Sequence, residues 1–132
     1  MPCRKIMERG NKVGLGTDIA GGYSPSILNS CRDAVIASLS LQQQNPKESY
    51  SIDYIQAFYL ATLGGAEALG LQDKIGTLRV GMEFDALILS AANQSSPDIY
   101  PRDTVADVFQ KLCTLGDDRN ISRVFVQGHE VI

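Results

Sequence analysis

Asp18 is the side chain of this 132-residue sequence best placed to do chemistry. It follows KVGLG at 12–16, a short apolar and β-branched run that predicts a brief strand, and it precedes a glycine-rich turn and a helix. A carboxylate just past the C-terminal end of such a strand stands where barrel enzymes place catalytic groups. By itself the pattern is also that of an ordinary turn former or helix cap. Glu67, on a helix, and Asp117, Asp118 and Arg119, in a loop, are paired charges that suggest acid–base work, yet local capping and ion pairing account for them more simply. The single histidine, His129, falls in a turn position of a terminal hairpin and reads as a surface residue. The glycines around Asp18 match neither G-x-G-x-x-G nor a P-loop, since no Lys-Ser/Thr follows and no acidic residue is placed for a ribose.

The elements that position Asp18 follow from periodicity. Residues 4–9 read as a helix tail ended by Gly10. Ser24 and Pro25 start a helix over 25–43, because a hydroxyl caps free N–H groups and a proline loses nothing at the first turn. Ile27, Leu28, Cys31, Ala34, Val35, Ser38, Leu39 and Leu41 share its apolar face, with Asn29, Arg32 and Asp33 on the wet side. Asn45 and Pro46 break it, and Ser51 caps a second helix through Ile52, Ile55, Phe58 and Tyr59. Residues 62–70 form a third, whose paired glycines allow close packing. Strand and turn chemistry occupies 75–89, then a loop over 90–102. Asp103 or Thr104 caps a helix with Val105, Val108, Phe109 and Leu112 on one side, and a final hairpin begins at Val124. A lone strand in the first half cannot make a sheet. The sequence therefore reads as incomplete at both ends.

Composition narrows the class. Twelve Lys+Arg against fifteen Asp+Glu give a net charge of −3, with no basic run of the kind that a nucleic-acid face needs. At 44% hydrophobic and 20% charged the chain can bury a core. No apolar run approaches the roughly 20 residues of a membrane span, and no secretory leader is visible, which makes a cytoplasmic location the expectation. Cys3, Cys31 and Cys113 are odd in number and widely spaced, which fits reduced thiols.

Five segments occur in a telling order: GLGTDIAGGYS, ATLGGAEALGL, IGTLRVGMEFDALIL, LGDDRNI and VFVQG. Together they resemble the C-terminal part of the amidohydrolase superfamily, and TDIAGGYS and LGDDRNI resemble its guanine deaminase branch more closely. The resemblance spans residues 4–132. It implies an α/β fold: the C-terminal portion of a metal-dependent (β/α)8 barrel, with strand 8 at 13–16 and the following helices, plus strands of a small β-sandwich domain. On this reading residues 1–73 are the last strand and helices of the barrel, 74–91 and 121–132 supply strands of the small β domain, and 92–120 form a loop and helix excursion.

The resemblance also implies a role for Asp18 as the strand-eight aspartate, at once catalytic, substrate-binding and a zinc ligand. It would hold the hydrolytic water and move its proton as the water attacks the purine carbon bearing the exocyclic amine. The implied reaction converts guanine and water to xanthine and ammonia, with zinc as cofactor, guanine as small-molecule partner and a homodimer as the complete enzyme. Another purine or a triazine-like ring is the alternative substrate. Tyr23 follows Asp18 closely enough to line the same mouth or simply to pack. The family's other zinc ligands, a His-x-His and single histidines, and its glutamate proton shuttle lie upstream of the matching segment and are not in this sequence. One aspartate cannot replace three protein ligands, and a barrel takes roughly 250 residues. The chain by itself is expected to be inactive and not to hold zinc tightly. Its unpaired strands and open apolar faces would seek partners, as in a non-catalytic fragment that joins a full-length subunit, and in isolation it is expected to aggregate.

Overall fold

The computed structural model describes residues 2–91 and 97–132. Its first helix, α1 (Cys3–Glu8), ends as expected before Gly10, which takes φ +80°. The brief strand expected at 12–16 is not formed: among the described residues this segment has no ladder partner. One backbone bond holds it instead, from Leu15 N–H to the Leu60 carbonyl at 3.0 Å. Val13 is buried in the core, so part of the apolar pattern there reports burial. The segment lies hard against the third-helix region. A Cβ on Gly14 would stand 2.8 Å from the Gly65 Cα, and one on Gly64 would stand 2.9 Å from the Val13 carbonyl. Only residues without a Cβ permit that approach of two backbones.

Helix α2 (Ile27–Gln44) starts two residues later than the serine–proline signal predicts, with Ser26 at the N-cap position. Ser24 is drawn off: its Oγ accepts from Ser26 N–H at 3.2 Å and from Asn29 Nδ2 at 2.7 Å. The expected apolar face is buried at Cys31 and half-buried at Ala34 and Val35, but Leu39 is exposed. The second helix, α3 (Tyr54–Ala61), is capped by Asp53 rather than Ser51. Asp53 accepts from Gln56 N–H at 2.8 Å while Gln56 Oε1 accepts from Asp53 N–H at 3.1 Å, a reciprocal box that satisfies two otherwise orphaned donors. Helix α4 (Leu63–Leu69) follows Thr62 and ends at Gly70, where φ +71° is the left-handed stop glycine accepts without strain.

Residues 75–85 form turns, and strand chemistry is confined to β1 (Ala86–Leu89). Of the expected loop at 90–102, residues 92–96 lie outside the described residues. Helix α5 (Val105–Leu115) is capped by Thr104, reciprocally with Asp107. The alternative cap, Asp103, instead accepts from Tyr100 N–H and Lys111 Nζ, and these bonds hold its carboxyl below the usual range. Val105 does not join the buried face, since it is almost wholly exposed. Phe109 does: its ring lies 5.0 Å from Phe58 and 5.9 Å from Tyr54, docking α5 on α3.

A 3-10 turn (Asp118–Asn120) leads into β2 (Ile121–Val126), then β3 (His129–Glu130). The sheet is antiparallel in the order β1-β2-β3, with Ala86 opposite Phe125 and a bulge between Ile88 and Leu89. Gln127 and Gly128, both at positive φ, turn the hairpin as a two-residue loop requires. His129 therefore sits in β3, just past the turn, and is exposed. Val13, Cys31, Ile52, Ala57 and Leu60 make the core, which joins the 12–16 segment to α2 and α3. Among the described residues no helix is long and apolar enough to cross a membrane.

Candidate functional site

Asp18 occupies an unusual backbone conformation. Its φ is +53°, in the left-handed region that a Cβ disfavours, and the Gly22 N–H closes the turn by donating to the Asp18 carbonyl. Aspartate and asparagine tolerate this region better than most residues, and such outliers concentrate at functional sites. The side chain is exposed. Its Oδ2 is tucked toward Gly21, where an added Cβ would stand 3.0 Å from it, so the glycine leaves the carboxylate room. The turn thus presents an accessible carboxylate from a closely fixed main chain.

Beside it opens a cleft of about 400 Å³. Gly16, Thr17, Gly22, Tyr23 and Ser24 from the Asp18 turn line it together with Asp33 from α2, and Asp18 stands just outside that lining. Tyr23 is 78% exposed, and the Asp33 carboxylate near its hydroxyl raises the phenol above its ordinary pKa. Sequence reasoning placed Asp33 on a wet helix face. The structure brings it to the same cleft as Tyr23.

The other candidates stay apart from this turn in local roles. Glu67 Oε2 accepts from the Tyr59 hydroxyl at 2.6 Å, and the carboxylate raises that phenol. Asp117 caps the 3-10 turn and takes a fork of bonds from Arg119 at 3.0, 3.1 and 2.6 Å, so its carboxyl is held low. Arg32 was not legible as a site-related residue. It is half-buried, and it donates to Asn29 Oδ1 and to the carbonyls of Cys113 and Gly116 at the end of α5. The Asn29–Arg32 spacing on one helix face was the signal available in the sequence.

Among the described residues no group of three or more His, Cys, Asp or Glu side chains is gathered to hold a metal ion. Asp18 brings one carboxylate, where a catalytic zinc takes three protein ligands and a water. The residues present do not fit such a site unaided.

The thiols are also told apart by position. Cys31 and Cys113 are buried where α2 meets α5, and desolvation pushes the Cys31 thiol up to about 11 and raises that of Cys113. Alkylation needs the thiolate. Iodoacetamide at pH 8 is therefore expected to label half-buried Cys3 first and to reach Cys31 and Cys113 only after denaturant is added, as read by peptide mass spectrometry.

Comparison with known proteins supplies what the geometry alone does not. The model of the amidohydrolase family matches residues 1–131. The chain is 43% identical over 132 residues to guanine deaminase of Dictyostelium discoideum, an alignment covering 99% of this chain and 29% of that protein. It is 45% identical over 134 residues to guanine deaminase of Rattus norvegicus, covering 96% and 29%. A crystal structure of guanine deaminase from C. acetobutylicum with guanine bound in the active site superposes with a TM-score of 0.86 at 32% identity, over 100% of this chain and 30% of that one. The chain spans less than a third of the length of these relatives.

Proposed function

This chain belongs to the amidohydrolase family, and on that premise we propose that it is the Asp18-bearing portion of an enzyme that deaminates guanine to xanthine and ammonia. The observation that carries the reading is the superposition of its whole length on a guanine-bound guanine deaminase. In this reading residues 1–73 complete a (β/α)8 barrel with 13–16 as its last strand, 74–91 and 121–132 contribute to a small β domain, and 92–120 form an excursion from it. The complete enzyme is a cytoplasmic zinc-dependent homodimer.

The chemistry assigned to this chain is that of one carboxylate. Water oxygen bonds to the ring carbon that carries the exocyclic amine, and Asp18 accepts the proton the water gives up. As the water adds, the ring C=N electron pair moves onto the ring nitrogen. The proton held by Asp18 passes to the amine, the exocyclic carbon–nitrogen bond breaks and ammonia leaves, and the added hydroxyl becomes a carbonyl as its remaining proton ends on that ring nitrogen. A positioned general base of this kind contributes about 10²–10⁴ in rate. Asp18 would be one ligand of the zinc. The remaining ligands are not supplied by the described residues, so the isolated chain is read as inactive.

A second reading, a non-catalytic piece that docks on a full-length subunit, is favoured by the exposure of Leu69, Leu78 and Val80, since apolar side chains so open to water tend to find cover. Ammonia release from guanine and zinc content, measured on this chain and on a form extended upstream to a full amidohydrolase barrel, decide the matter. The expected result is zinc and ammonia from the extended form alone. Activity in the 132-residue chain would overturn the ligand inventory, and an extended form that binds zinc but leaves guanine untouched would overturn the substrate.

A further inference from the structure

Two residues beyond the closed 18–22 turn that carries Asp18, Ser24 is held by a relay of side chains that ends on a different helix. Ser24 Oγ accepts from Asn29 Nδ2 at 2.7 Å and from Ser26 N–H at 3.2 Å. The other end of the Asn29 amide, Oδ1, accepts from Arg32 Nη1 at 2.5 Å. Arg32 then turns its remaining donors on α5: Nε to the Cys113 carbonyl at 3.1 Å and Nη2 to the Gly116 carbonyl. Both ends of the Asn29 amide are thereby committed, which fixes its orientation. The guanidinium also neutralises carbonyls that the end of α5 leaves without helical partners, a favourable place for a cation. On the turn itself Gly22 N–H closes on the Asp18 carbonyl.

We propose that Arg32 is a positioning residue for Asp18: by clamping the end of α5 to α2 and orienting Asn29 toward Ser24, it fixes the turn from which the carboxylate acts. This rests on the reading of Asp18 as the reacting carboxylate. A planar fork is required, because one side chain must reach Asn29 and two backbone carbonyls at once, and a lysine ammonium lacks that fixed spread of donors. Displacing a reacting group by about 1 Å can cost 10²-fold in rate, so a residue touching no substrate can still govern turnover.

The test uses the extended form with Arg32→Lys, Arg32→Ala and Asn29→Ala. Asn29→Ala removes the donor to Ser24 without supplying an acceptor for its hydroxyl, so it cuts the relay while Arg32 keeps its bonds to the Cys113 and Gly116 carbonyls on α5. For all three, kcat for guanine is expected to fall by about tenfold or more with KM little changed, because binding is spared and alignment is lost. Amide exchange at Gly22 and Ser26 is expected to quicken while α3 and α4 keep wild-type protection. Unchanged exchange over 18–26 in Asn29→Ala, or a loss of protection that spreads equally through α3, would overturn the proposal. The exchange readout does not depend on turnover. An extended wild-type protein that releases no ammonia removes the assigned reaction, while the exchange data still decide whether Arg32 holds the turn.

Discussion

Replacing Asp18 by Asn in the extended form is expected to lower ammonia release from guanine by about 10²–10⁴-fold, the range a positioned acid–base group supplies. The choice of Asn matters because Asp18 sits at φ +53°. Asn tolerates the left-handed region as Asp does, so the substitution removes the proton acceptor and the negative charge while leaving the turn intact. Alanine would add backbone strain to the lost chemistry, and glutamate would strain the turn while moving the carboxylate outward. Zinc content, measured by emission spectrometry, separates a lost ligand from a lost base: a fall in both places Asp18 on the metal, and a fall in activity alone leaves the proton role. Wild-type turnover in Asp18→Asn would end the assignment.

What could be read in advance divides along physical lines. Helices whose ends are set by local chemistry were legible, as Thr104 before Val105 and Gly70 after Leu69 show, because a cap is decided by residues close in sequence. Asp53 with Gln56 carried the same capping-box signal and outcompeted Ser51, since only the Asp53 pairing satisfies two donors reciprocally. The 12–16 segment forms no ladder among the described residues, because a strand exists only where another strand takes its hydrogen bonds, and a β-branched apolar run predicts burial and extension alike. Asp18 was visible as a carboxylate ahead of a glycine-rich turn, but its left-handed backbone is a product of the closed turn and not of composition. Arg32 was hidden for a different reason. Its partners, the carbonyls of Cys113 and Gly116, lie far along the chain and are backbone atoms, which leave no trace in residue types. Long-range contacts to main chain are the part of a site that sequence patterns carry least.

The stability effect expected to be largest comes from Leu60→Ala. Leu60 is 0% exposed, near the C-terminal end of α3, within the cluster of Val13, Cys31, Ile52 and Ala57. Truncating it removes the transfer free energy of the lost carbons and leaves a cavity, together about 2–5 kcal/mol in a well-packed site. Collapse of that cavity is hindered on one side. The 12–16 segment already meets α4 backbone to backbone, with Gly14 against Gly65 and Gly64 against Val13, so it has little freedom to settle inward. Leu60 also accepts the Leu15 N–H at 3.0 Å, and loosening α3 there slackens the segment that leads to Asp18. Amide exchange in α3 should therefore quicken by more than about tenfold, since each 1.4 kcal/mol of lost protection is a factor of ten. Leu60→Met, which nearly conserves volume, should cost less than about 1.5 kcal/mol. Val80→Ala, at a fully exposed position, should stay within about 0.5 kcal/mol of wild type. If Leu60→Ala and Val80→Ala behaved alike, the core assigned here would not be what holds α2, α3 and the Asp18 segment together.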